Sequence, residues 1–146
     1  MSASEFAGKS VLVTGAASGL GRAASLRFAA EGACLCLVDV NAEGLAETAT
    51  RIAGEGGVCV THRADLGVPA NCAAAVQAAI DAFGRLDVLC NVAGILRFHA
   101  LGDVDENDWA KLFAINVTAP FFMIKAAMPH LVESGGNVVN VASTAA

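Results

Sequence analysis

Five short apolar runs, set apart by longer stretches of helical period, constrain this 146-residue chain more than any other feature. They are SVLVTG (10–15), ACLCLVDV (33–40), GVCVTH (57–62), LDVLCNVAG (86–94) and NVVNVAS (137–143). A strand with one face in water alternates apolar and polar residues. These runs do not alternate; they are nearly continuous in Val, Leu and Cys. Strands of a parallel sheet covered on both faces read this way.

The intervening stretches supply the covers. Leu20, Ala24 and Phe28 repeat every four residues, and Gly32 closes that helix. Asn41 is placed to cap a second helix, whose stripe includes Leu45, Ala49 and Ile52. Pro69 opens a third, carrying Val76, Ile80 and Phe83 and ended by Gly84. Asp105 caps a long fourth, with Trp109, Phe113, Asn116, Pro120, Met123 and Ala127 expected on one face. Trp109 and Phe113 read as core or as an interface between subunits. Inside that helix Pro120 lacks the N–H that would bond the Asn116 carbonyl, so the ladder should open there and offer the carbonyl to a water. Strands alternating with helices argue for one α/β domain with a doubly wound parallel sheet.

Composition excludes several classes. Hydrophobic residues make up 55% of the chain and charged residues 16%, which leaves no disordered or charged tail. A net charge of −5 gives no basic footprint, so no nucleic acid is expected. No uninterrupted apolar run reaches the roughly 18 residues of a membrane helix, so none is expected to span one. Leu112 to Met128 comes nearest, broken by Asn116, Thr118, Pro120 and Lys125. MSASEFAGK does not read as a leader, which points to the cytoplasm. The five cysteines include no CxxC and read as buried, reduced thiols. His62, His99 and His130 share no ligand spacing, and no metal site is expected. Ser143 is flanked by Val141 and Ala145, not by the glycines of a hydrolase elbow.

The chemistry concentrates in Thr14-Gly15-Ala16-Ala17-Ser18-Gly19-Leu20-Gly21, between the first strand and the first helix. Glycines there let backbone approach a pyrophosphate, whose charge the helix N-terminus stabilises. Gly8-Lys9-Ser10 imitates the end of a P-loop but precedes the strand it would have to follow. Asp39 ends the second strand 18 residues after Gly21, where an acid accepts the hydroxyls of an adenine ribose. A solvated carboxylate at a strand end is the plainer alternative.

With these marks the chain resembles the short-chain dehydrogenase/reductase family, whose glycine motif is TGxxxGxG. The resemblance runs from about residue 8 to 146. Asp65-Leu66 stands where that family holds the adenine ring. Asn91-Val92-Ala93-Gly94 matches its NNAG, with Val92 for the second asparagine. Asn116, in INVTAPFF, matches its helix asparagine, and Val138 to Ser143 resembles the strand leading to its serine. The resemblance implies a Rossmann-type sheet and NAD rather than NADP. Gly15, Ser18, Gly19, Leu20, Gly21, Asp39, Asp65, Leu66, Asn91, Ala93 and Gly94 would hold that cofactor. It further implies hydride transfer to or from a small alcohol or ketone, and a homodimer or homotetramer. Ser143 would hold the substrate oxygen and Asn116 a relay water.

The family also uses a tyrosine, with a lysine that lowers its pKa. This chain has no tyrosine at all. It therefore reads as the N-terminal cofactor-binding portion of a longer dehydrogenase, stopping before the Tyr-x-x-x-Lys segment. Two other readings stay open: a dinucleotide-binding module without chemistry, and a structural subunit pairing through its sheet edge.

Overall fold

The computed structural model describes residues 4–144, so the reading of the N-terminus as leader-free falls partly outside it. Along the chain lie β1 (Ser10–Thr14), α1 (Gly19–Ala30), β2 (Cys34–Asp39), α2 (Ala42–Gly54) and β3 (Val58–Arg63). There follow α3 (Pro69–Phe83), β4 (Val88–Asn91), α4 (Glu106–Phe113), α5 (Ala119–Ser134) and β5 (Asn137–Asn140). All five strands are parallel, in the order β3-β2-β1-β4-β5. The chain winds outward from β1 in one direction, then returns to start again at β4. Such a reversal opens a crevice at the carboxyl ends of the two central strands.

The apolar runs of β1 to β4 are continuous because each of these strands feeds two cores, whereas β5 packs only Val138 inward. Val11, Val13, Leu35, Leu37, Val88 and Cys90 pack on one face with Leu45 and Ile52 of α2. Leu12, Cys36, Val38 and Leu89 pack on the other with Val76 of α3 and Met123, Ala127 and Leu131 of α5. Each fully buried Leu or Val contributes roughly 1.5–3 kcal/mol. All five cysteines are free thiols, but only Cys36, Cys72 and Cys90 are buried, Cys34 and Cys59 being partly exposed on β2 and β3; burial pushes Cys36 up to about 12 and Cys90 up to about 11.

At the amino end of the sheet, the Asp87 carboxylate is only 3% exposed. Arg85 grips it with two hydrogen bonds of 2.8 and 2.6 Å, the Ser10 N–H donates at 2.9 Å, and Lys9 stands 3.7 Å away. Burial works to raise this carboxyl. The Arg85 guanidinium, the Ser10 N–H and Lys9 together outweigh it and hold the group below the usual carboxylate range.

The helix signals resolve in two ways. Asn41 and Asp105 cap as expected, accepting from Gly44 N–H at 3.1 Å and Asp108 N–H at 2.8 Å. Pro69 opens α3, and Gly84 ends it in the left-handed conformation. The expected stripe of α1 is not its buried face. Leu20 is 59% exposed, while Gly21 and Ser25 are buried. Only small side chains let α1 lie this close to the sheet.

The long fourth helix is α4 and α5 joined through a π-turn at Ala114–Thr118, where the Ala119 N–H donates to the Ala114 carbonyl. The departure from α geometry falls immediately before Pro120. One extra residue in a turn rotates everything after it by about 100°. The single stripe therefore divides. Met123 and Ala127 are buried, but Trp109 and Phe113 are 59% and 45% exposed. By length and composition the Glu106–Ser134 helix is apolar enough to cross a membrane, its best 18-residue window averaging a hydropathy of 1.4 with 17% buried. One row, Ala119, Met123, Ala127 and Leu131, seals the sheet, Phe122, Ile124 and Ala126 pack partly buried beside it, and Phe121, Met128 and Val132 face outward.

Candidate functional site

A cleft of about 510 Å³ opens at the carboxyl ends of β1, β2 and β4. Gly15, Ser18, Gly19, Leu20 and Gly21 line it on one side, Asp39, Asp65 and Leu66 at one end, and Ala93 and Gly94 on the other side. Ten of the eleven expected cofactor residues thus meet in one place.

The glycine loop is shaped by close approach. A Cβ on Gly21 would stand 2.0 Å from the Gly15 carbonyl oxygen, and one on Gly15 would stand 2.9 Å from the Ala93 backbone. α1 and the strand ends can touch only because both side chains are missing. The Ser18 hydroxyl makes no cap to α1, and the first turn carries no acid. The helix therefore presents its N–H groups and positive dipole end without a charge of its own to neutralise them.

Side chains behind the loop hold it still. The buried Thr14 hydroxyl accepts from the Val92 and Ala93 N–H groups, both at 3.0 Å, tying β1 to the segment after β4. Arg22 donates to Thr48 Oγ1 at 2.9 Å and pairs with Glu47 at 2.9 Å, and Thr48 Oγ1 donates to the Ala16 carbonyl at 2.9 Å. None of these three was singled out as a site residue from the sequence. Thr14 had a signal, its place at the head of the glycine motif. Arg22 and Thr48 had none, because their partners lie far along the chain. The apolar lining of Val40, Ala64, Val92, Ile95, Ile115 and Val141 was equally silent.

Asp39 is already engaged. Its Oδ2 accepts from Ala17 N–H at 3.1 Å and its Oδ1 from Asn41 N–H at 3.0 Å. Asp65 Oδ1 accepts from Gly67 N–H at 2.9 Å, which fixes the turn that presents Leu66. Asn91 does not line the cleft; it is buried, and its amide donates to Asn140 Oδ1 at 2.8 Å, bracing β4 against β5. The Asn116 side chain clasps Ile95 from both sides, accepting from its N–H and donating to its carbonyl at 2.8 Å each. Ser143 lies exposed two residues beyond the cleft-lining Val141, whose N–H donates to the Asn91 carbonyl at 3.0 Å.

Comparison with known proteins agrees with this geometry. Residues 9–146 match the family model of the short chain dehydrogenases. A 2,5-dichloro-2,5-cyclohexadiene-1,4-diol dehydrogenase of Sphingobium indicum is 42% identical, over 97% of this chain and 57% of its own length. A D-threitol dehydrogenase of Mycolicibacterium smegmatis is 39% identical, over 95% and 54%. The structure of an NAD+-bound xylitol dehydrogenase superposes with a TM-score of 0.91 at 33% identity, covering 97% of this chain and 55% of that one. A metagenomic short-chain oxidoreductase in complex with NADP gives 0.91 at 31% identity, over 96% and 64%. The chain spans about half the length of the curated relatives it matches. A parallel sheet with its reversal beside β1, a glycine loop at the amino end of α1 and a match over residues 9–146 have one meaning: this chain belongs to the short-chain dehydrogenase family.

Proposed function

We propose that the full-length protein is an oxidoreductase that moves a hydride between NAD(H) and a small alcohol or ketone. The observation that carries this reading is the uncapped amino end of α1, facing a 510 Å³ cleft that Asp39 closes at its far side. Those donors fit a dinucleotide. The backbone from Gly15 to Gly21 and the Ser18 hydroxyl take the pyrophosphate. Asp39 accepts from the adenosine ribose, and Asp65 and Leu66 border the adenine. Ala93 and Gly94 border the nicotinamide half, while Asn91 acts from behind by holding β4 to β5. When bound, the nicotinamide supplies the hydride chemistry.

Ser143 orients the substrate oxygen. Asn116 acts twice: its side chain holds Ile95 in place, and its main-chain carbonyl, within the π-turn that precedes Pro120, accepts from a relay water. With no tyrosine in the sequence, the proton donor comes from a Tyr-x-x-x-Lys segment outside these residues. The single cofactor-binding domain then works in the cytoplasm as part of a dimer or tetramer, which the outward apolar rows of α4 and α5 support. In a second reading, the same cleft binds dinucleotide without chemistry.

Titration of the full-length protein with NADH, followed by nicotinamide fluorescence, tests the binding. Saturable binding that Ser18→Ala and Gly19→Val weaken is expected. No binding at millimolar NADH ends the proposal. Turnover with a panel of secondary alcohols separates the two readings.

A further inference from the structure

Beyond the cleft-lining Ile95 the chain runs toward α4 without helix or strand, as far as a short turn at Leu101–Asp103. Apolar burial does not hold this stretch, because Leu96, Phe98 and Leu101 are 56%, 87% and 94% exposed. Among the described residues, Leu96 to His99 also make no backbone hydrogen bond. Ordering such a stretch costs conformational entropy at every residue, so something else must hold it. Two ties do. Asn116 grips Ile95 at its start. Asp108, in the first turn of α4, reaches across to two side chains near its middle. His99 Nε2 lies 3.0 Å from Asp108 Oδ2, and Arg97 Nε lies 3.7 Å from Oδ1. An acid at this place in a helix can turn back to the N–H of the capping residue. Here the Asp105 carboxylate accepts from the Asp108 N–H, and the Asp108 carboxylate faces the stretch instead.

We infer that Asp108 is a positioning residue for substrate. Through Arg97 and His99 it fixes the stretch that leads out of the cleft from Gly94 and Ile95, and so sets how tightly the alcohol or ketone is held. This rests on the oxidoreductase reading of the cleft and deepens it. Asp108 does not line the cleft; it acts through the two side chains that it holds. Each tie by itself is an exposed ion pair, which adds little to global stability. Its weight falls on local order, because Leu96 to His99 have no ladder and little burial. A loosened wall weakens ground state and transition state alike, which raises KM and leaves kcat alone. The bland alternative is an acid that only favours the amino end of α4 through its charge. Such a residue would act whether or not Arg97 and His99 were there.

The test is steady-state oxidation by the full-length protein at saturating NAD+, using the secondary alcohol of the panel with the highest kcat/KM. Asp108→Asn should raise KM for that alcohol about fivefold, the scale of two exposed ion pairs. Both kcat and NADH affinity should stay within about twofold, as for an ordinary surface change. Asp108→Glu keeps the charge and should recover most of the lost KM. Arg97→Gln combined with His99→Gln should reproduce the rise, and adding Asp108→Asn to that pair should change nothing more. An unchanged KM in Asp108→Asn, or a further rise on adding it to the pair, would overturn the positioning role. So would an equal loss of NADH affinity. Each of these results leaves the oxidoreductase reading standing. A wild type that binds NADH but turns over no alcohol would overturn that reading, and the role of Asp108 with it.

Discussion

Two carboxylates at opposite ends of the sheet carry different burdens. Asp39 holds two backbone N–H groups, yet a carboxylate offers about four lone-pair sites, so a ribose can share it. A hydrogen bond to this charge contributes roughly 1.5–3 kcal/mol, whereas a 2′-phosphate at 4 Å would be repelled by on the order of 4 kcal/mol per unit charge at an effective dielectric of 20. NADH should therefore bind more tightly than NADPH. Asp39→Asn should narrow that ratio, although its single amide oxygen can accept from only one of the Ala17 and Asn41 N–H groups. Equal or tighter NADPH binding by wild type, in a direct titration, sinks this assignment. Asp87 is structural. Its carboxyl is depressed in the folded state, so its stabilisation is complete above the unfolded value of about 4 and is lost as pH falls through the lower folded value. Asp87→Asn leaves the half-exposed Arg85 guanidinium without its partner and should destabilise the fold at pH 7. Urea midpoints at pH 7 and pH 3 check both points, since the loss should shrink at the lower pH.

Among the elements, α1 depends most on a missing side chain. In an exposed helix Gly→Ala gains about 1 kcal/mol of propensity. At Gly21 the new methyl would meet the Gly15 carbonyl at 2.0 Å, so α1 must retreat from the glycine loop. Gly21→Ala should destabilise by about 2 kcal/mol and weaken NADH more than tenfold. Gly54, the last residue of α2, has nothing within 4 Å of its Cβ position, and there alanine should stabilise slightly. Thermal midpoints of opposite sign would confirm the contrast; a neutral Gly21→Ala would refute the close approach. The same contact explains what was legible in the sequence. Strands and caps were, because Val-rich runs and residues such as Asn41 or Gly84 act through their own neighbourhood. The buried faces of α1 and of the long helix were not. Small residues set the approach of one, and a π-turn shifted the phase of the other. The cleft followed from the glycine loop and Asp39, but Arg22 and Thr48 are joined only by folding.

For the whole molecule, the centre of the sheet is sealed and both edges, β3 and β5, are unpaired. β5 is an edge strand; Val138 packs inward, but Val139 and Val141 are 47% and 46% exposed. Elsewhere on the surface, α4 buries no residue, and Trp109, Val117 and Phe121 are 59%, 55% and 61% exposed. An unpaired apolar strand is a template for another strand, and a row of outward aromatics adds area for association. Residues 1–146 expressed alone should therefore self-associate at micromolar concentration. They should also show no steady NADH turnover, because Ser143 and Asn116 can orient groups but no phenol is present to deliver a proton. Val139→Lys should reduce the association without unfolding the chain, since a lysine on a half-exposed edge strand reaches water and repels a second copy. Sedimentation velocity and circular dichroism on both variants decide the matter. A monodisperse wild-type monomer, or an unchanged assembly in Val139→Lys, would show that β5 is not the surface through which this chain seeks a partner.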